Sequence, residues 1–240
     1  MTYEKFAFIY DKLMSDYNYD KVYDFIIDFI NEKSLKVKEI LELGCGTGEL
    51  TLRLANKYPV KALDLSSDML SIADKKLIGL KADLYNIDMR DFKFAEKFDL
   101  ALSVCDSLNY IMEEEDIESI FKNVYEHLNN KALFVFDLNT EERFKSFDDI
   151  YLEENEDVFL VWENFYDLDT CINTYSINFF VEKGDLYERF YEEHHERAYK
   201  KDFIIKALKD SGFKNIEIFS EYDKTITLEK SKRLVYIAEK

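Results

Sequence analysis

The chain has 240 residues, 47% of them hydrophobic and 16% aromatic, enough to bury a substantial core and too apolar for global disorder. Its 50 acidic and 32 basic residues give a formal charge of -18 at pH 7, which repels a phosphate backbone and makes a nucleic-acid substrate unlikely on charge alone. Cys45, Cys105 and Cys171 are dispersed without metal or redox spacing, and no run of about 18 apolar residues or signal-peptide core occurs, so a reduced, cytoplasmic protein outside any membrane is expected.

In chain order, "YDKVYDFIIDFINE" repeats apolar side chains at three- and four-residue intervals and predicts an amphipathic helix. "VKEILELG" then reads as a strand running into glycines, "ELTLRLANKY" as a helix, "VKALDL" as a strand and "SSDMLSIADKKL" as a helix with Ser or Asp to cap it. A weak strand near 80–87, a clear one at "FDLALSVC", a helix at "EDIESIFKNVYEHL" and a strand at "ALFVFDLN" continue the alternation. Alternating strands and helices predict a parallel sheet with helices on both faces.

After Asn139 three long segments, "VFLVWENFYDLD", "CINTYSINFFVEKGD" and "LYERFYEEHHERAY", show partial period-two alternation and predict consecutive antiparallel strands. "KDFIIKALKDSGF" restores helical periodicity with Gly212 placed to end it, and strands at "IEIFSEY" and "RLVYIAE" finish the chain. The expected architecture is α/β: a Rossmann-like, seven-stranded, mostly parallel sheet, formed by 1–139 and 200–240, with an antiparallel β insertion over 140–199.

Six glycines serve the whole chain, and three of them, Gly44, Gly46 and Gly48, fall in "LGCGTG". A glycine turn between strand and helix lets a ligand approach the main chain, and the helix start offers unpaired N–H groups. Asp64, twenty residues after Gly44 at the end of the next strand, is placed to accept both hydroxyls of a ribose. The turn reads G-x-G-x-G rather than the dinucleotide spacing, which weakens NAD as the ligand.

Taken together, "LELGCGTG", "ALDLSSDML", "NIDMRDF" and "FDLALSVCDSLNYI" resemble the successive motifs of class I S-adenosylmethionine-dependent methyltransferases, over about residues 35–140. The resemblance implies S-adenosyl-L-methionine as cofactor. It sets Gly44, Cys45 and Gly46 beside the methionyl part and ribose, with Glu42 near the ammonium. It also sets Asp64 on the ribose, Leu65 and Met69 near the adenine, Asp88 on the adenine amino group, Met89 against the ring, and Val104 and Cys105 along the cofactor. A looser resemblance, carried by "YEKFAFIYDKL", "DSLNYI" and "EEHHERAY", is to small-molecule N-methyltransferases of nucleotide-linked amino sugars and their bacterial relatives.

Methyl transfer from a sulfonium requires alignment and exclusion of water, with no metal and no covalent nucleophile, while an ammonium acceptor must first lose a proton. Tyr110, just after the fourth strand, and His194 are the candidate catalytic residues. His194 and His195 are adjacent on a strand, so one of them at most faces a cleft. His127 reads as a surface or helix-capping residue. Tyr3 and Tyr10, seven apart, share a helical face and either pack in the core or close the pocket. Arg189 and Arg197 are expected to pair with nearby glutamates rather than grip an anion.

The function expected is methyl transfer to a small polar acceptor, with an amine as a candidate. The alternatives are a non-catalytic cofactor sensor or interaction protein, an aminopropyl transferase, and a nicotinamide-dependent dehydrogenase. Oligomeric state is left open by the sequence.

Overall fold

The computed structural model describes residues 10–11, 17–147, 149–154 and 158–240. Among these residues eleven strands form two sheets: β1 (Ile40–Leu43), β2 (Val60–Asp64), β3 (Ala82–Asn86), β4 (Phe98–Ser103), β5 (Leu128–Asn139), β10 (Lys214–Ser220) and β11 (Arg233–Glu239) make the first. Its order is β10-β11-β5-β4-β1-β2-β3, and every neighbouring pair from β3 to β5 is parallel. β11 alone runs against its neighbours, lying antiparallel between β5 and β10. The carboxyl ends of β1, β2 and β4 therefore share one edge, which is where open α/β sheets bind ligands.

Six α-helices lie wholly within the described residues and pack around these strands: α1 (Tyr19–Glu32), α2 (Glu49–Ala55), α3 (Ser67–Lys76), α4 (Glu114–His127), α5 (Glu141–Lys145) and α6 (Lys201–Asp210). Asn18 opens α1 by accepting the Lys21 N–H at 2.9 Å, and Val22, Phe25, Ile26, Phe29 and Ile30 bury its apolar stripe. Period-two alternation sorts β5 between two cores: Phe134, Phe136 and Leu138 join one with α4 and α6, whereas Leu133 and Val135 join the other with α1 and α2.

Beyond β5 stands the second sheet, four antiparallel strands in sequence order: β6 (Ile150–Glu154), β7 (Val158–Asp167), β8 (Ile172–Lys183) and β9 (Leu186–Arg197). The expected count was three. β6 pairs with β7 as an edge strand whose side chains are mostly exposed, so no alternating burial marks it in the sequence. Helix α5 was also missed, because a five-residue element shows too little periodicity. Gly212 follows α6 with φ +107°, as its position predicted.

Candidate active site

The turn after β1 shows what its glycines are for. Gly44, Gly46 and Gly48 all have positive φ, +67°, +55° and +80°. A Cβ on Gly44 would stand 2.7 Å from both Cβ and Oγ of Ser107, so close approach demands glycine there. At Gly46 nothing lies within 4 Å of a Cβ position, leaving the backbone open towards a cavity. Asp64 fixes this arrangement from β2: one carboxylate oxygen accepts the Gly46 N–H and the other the Ser66 N–H, each at 2.8 Å.

That cavity, about 910 Å³, lies along the carboxyl edge of the first sheet and reaches the second. Glu42, Gly44, Cys45 and Gly46 wall it at β1, Asp64, Leu65 and Met69 at β2 and α3, and Asp88 and Met89 after β3. Val104, Cys105 and Tyr110 follow β4, His194 comes from β9, and Tyr10 closes one side. All fourteen sequence candidates thus meet around one cavity, though β1 and β9 are separated by some 140 residues of chain. Tyr3 falls outside the described residues.

Burial sets the electrostatics. Glu42 is 2% exposed, and its carboxyl is pushed up to about 7 by desolvation, against the hydrogen bond that Thr51 Oγ1 donates at 2.7 Å. Desolvation also raises the Asp64 carboxyl above its usual range, while the two backbone N–H groups oppose the shift. Asp88 is held below the usual range by Arg90, whose guanidinium reaches it at 2.6 Å and Asp116 at 3.4 Å. His194 is half-buried, and desolvation, with His195 beside it, lowers its pKa so that a neutral ring is favoured. The rings of Tyr110 and His194 meet edge to face, centroids 6.0 Å apart.

The two histidines of β9 separate as strand geometry requires. His194 turns to the inner face of the second sheet, while His195 meets Thr174 Oγ1 at 3.1 Å and Glu193 at 3.2 Å on the outer one. His127 departs from expectation: it is buried rather than superficial, donating from Nδ1 to the Asn123 carbonyl and accepting the Phe94 N–H at Nε2. Packing of its ring against Phe92, at 4.8 Å, gives a structural reason for that burial. Arg189 binds Asn178 rather than a glutamate, and Arg197 reaches Glu114 and the Met112 carbonyl.

Sequence reasoning missed the cluster beneath this site. Arg233, on β11, donates to Asp137 at 2.7 Å and to Asp106 at 2.8 Å. Asp137, fully buried, also accepts the N–H groups of Cys105 and Asp106 and the hydroxyls of Tyr17 and Tyr222. Cys105 and Asp106 have φ of +59° and +55°, a left-handed pair that costs energy in non-glycine residues. The carboxylate of Asp137 holds this turn, and with it Ser107 and Tyr110, against the cavity. Six residues make the cluster, and only Arg233 and Asp137 lie on strands, β11 and β5, so no local motif announces it.

Among the described residues no group of three or more His, Cys, Asp and Glu is arranged to hold a metal ion. No helix among them is long and apolar enough to cross a membrane. What the cavity offers is an open glycine backbone, a buried carboxylate at β1, a half-buried one at β2 and three methionines. That set suits a cationic, nucleoside-bearing ligand.

Comparison with known proteins agrees. Residues 40–131 match the family described as Methyltransferase domain. The chain is 33% identical over 245 residues to YqeM of Bacillus subtilis (strain 168), a methyltransferase by designation, covering 100% of this chain and 98% of that protein. The crystal structure of an S-adenosylmethionine-dependent methyltransferase from Clostridium acetobutylicum ATCC 824 matches with a TM-score of 0.89 at 38% identity, covering 100% of this chain and 99% of that one. A shorter similarity, 32% identity over 104 residues and 43% of each chain, is to dTDP-3-amino-3,4,6-trideoxy-alpha-D-glucopyranose N,N-dimethyltransferase of Streptomyces venezuelae. These matches do not favour the dehydrogenase, aminopropyl-transfer or sensor readings. The chain belongs to the S-adenosylmethionine-dependent methyltransferases, and S-adenosylmethionine is its cofactor.

Proposed function

We propose that this enzyme methylates an amine on a small polar acceptor, in the cytoplasm, with residues 140–199 serving as a lid over a core formed by 1–139 and 200–240. One observation carries the reading: away from the glycine turn the cavity is lined by Glu113 and Asp116, and the guanidinium beside Asp116, Arg90, is already held by Asp88 and Asp116. Such a lining favours an ammonium over an anion. The N,N-dimethyltransferase similarity in the core supports the same class of acceptor.

In this reading Gly44, Cys45 and Gly46 run along the methionyl part and ribose, Glu42 attracts the ammonium, and Asp64 accepts the ribose hydroxyls. Leu65 and Met69 border the adenine, Asp88 accepts from its amino group, Met89 covers the ring, Val104 and Cys105 flank the cofactor, and Tyr10 closes over it. Bound S-adenosylmethionine supplies an electrophilic methyl on a sulfonium that is already a good leaving group. The protein's part is to align the acceptor and keep water out. Neutral His194 takes the proton an ammonium acceptor must lose, and Tyr110 packs against it to orient the acceptor.

The test is turnover of methyl-labelled S-adenosylmethionine with a panel of amines that includes amino sugars. Label in an amine product supports the reading. Tight cofactor binding with label only in oxygen or carbon products, or in none, refutes it.

A further inference from the structure

The second sheet meets the first at a seam of buried polar groups whose charges balance only with a proton. Asn109, fully buried on the turn after β4, donates to the Asn139 carbonyl at the end of β5 and to the Arg197 carbonyl of β9, at 3.0 and 2.8 Å. Asn139 Nδ2 donates in turn to Glu196 Oε2 at 3.2 Å. Glu196 is 3% exposed, and its carboxyl is hydrogen-bonded to that of Asp106, on the same turn as Asn109. One strand repeat away, on the same face of β9, stands His194.

A hydrogen bond between two carboxyl groups requires a proton on one of them. Arg233 directs its ion pairs to Asp137 and Asp106, at 2.7 and 2.8 Å, so its single positive charge already faces two carboxylates. The other titratable groups facing Glu196, Tyr110 and Tyr175, are phenols that burial keeps neutral. An ionised Glu196 would therefore stand buried against Asp106 with no cation of its own, which desolvation and like charge both oppose. Burial and the neighbouring Asp106 hold its carboxyl well above the usual range. The proton belongs on Glu196, because Arg233 favours the ionised form of Asp106 by direct contact.

We infer that Glu196 is a positioning residue for methyl transfer: the proton it donates to Asp106 joins β9 to the turn after β4, and so sets His194 against Tyr110. The catalytic consequence rests on the roles proposed above for those two residues, while the seating of β9 does not. Loss of the proton sets two carboxylates against each other across the seam and loosens β9 from the turn. Since the folded state holds the proton more tightly than the unfolded chain, the seat is intact at low pH and weakens as pH rises through the folded-state pKa.

The test is a pH titration by NMR of the protein saturated with S-adenosylhomocysteine, following the Glu196 carboxyl carbon and the ring protons of His194, one of only three histidines. Glu196 is expected to titrate well above the ordinary glutamate value of about 4.3, and the His194 ring signals to shift in the same step. Glu196→Gln donates an amide N–H to Asp106 and accepts from Asn139 as the protonated acid does, so His194 should keep its low-pH position and lose that step. The ring's own protonation, moved to lower pH by burial, is common to both proteins and cancels in the comparison. Glu196→Leu, or Glu196→Ala if the leucine variant does not fold, should displace the His194 signals at every pH. A Glu196 carboxyl that titrates at the ordinary value overturns the inference. So does a raised titration that leaves His194 unmoved, which marks a purely structural pair, or a His194 step that survives in the glutamine variant. Neither readout contains an acceptor, so failure of the amine reading in the labelled-methyl assay leaves this result standing, and failure here leaves that reading intact.

Discussion

At the glycine turn the polar groups are satisfied before any ligand arrives: Asp64 accepts two backbone N–H groups and Glu42 accepts from Thr51. On the inner face of the second sheet, outside the cavity's lining, Glu192, Asn173 and Trp162 bury side-chain atoms with no hydrogen-bond partner among the described residues. The first region is preorganised around its own hydrogen bonds, which suits a ligand that never changes. The second leaves hydrogen-bonding capacity unfilled in its interior, at a cost in stability. Between them the Arg233 cluster holds the turn that carries Tyr110, so the two halves meet at a braced point.

Breaking the brace should have the largest effect. Arg233→Met strands the buried carboxylate of Asp137 and the half-buried one of Asp106, and we expect a loss of about 3–5 kcal/mol of stability in denaturant unfolding. A midpoint unchanged from wild type would show that Asp106 and Asp137 do not depend on Arg233. Next, Asp64→Ala removes the acceptor of two N–H groups at the turn and the proposed ribose ligand. Affinity for S-adenosylmethionine, by calorimetry, should fall by roughly a hundredfold or more, about 3 kcal/mol. Unchanged affinity would remove Asp64 from the cofactor site.

Smaller effects sharpen the contrast. Gly44→Ala meets Ser107 at 2.7 Å at a φ of +67°, and about 1–3 kcal/mol of stability should be lost, with weaker cofactor binding. If this variant melts like wild type, the turn has more slack than its packing indicates. The last prediction concerns pH. Because burial raises Glu42 to about 7, it is largely ionised only above that value, and an ammonium prefers the ionised form. Cofactor affinity should therefore weaken several-fold from pH 8 to pH 6, and Glu42→Gln should flatten the profile. The sign for stability is opposite. A folded-state pKa above the unfolded one means that the unliganded fold loses stability from this group as pH rises from about 4.5 to 7.

The glycine-turn half of the cavity was legible because its signals are local. "LGCGTG" carries its glycines within five residues, and Asp64 follows at a spacing fixed by one helix and one strand. Helix α1 matched its periodic segment over Tyr19–Glu32, since a buried stripe of five apolar residues leaves a clear repeat. Strand β6 left none, as its exposed side chains impose no alternation. His127 misled for a related reason: helix position suggests a surface residue, while the neighbours that bury it, Phe92 and Phe94, come from a distant loop.

The sequence by itself determined the order of strands and helices, the glycine turn with its acidic partner, and hence the family, because each depends on residues a short chain distance apart. Tertiary structure alone decided that β9 brings His194 to Tyr110, that Arg233 clamps one carboxylate from β5 and one from the turn after β4, and that Glu192 buries an Oε1 with no partner among the described residues. Those facts arise where segments far apart in the chain exclude water from one another, and desolvation leaves no trace in local residue spacing.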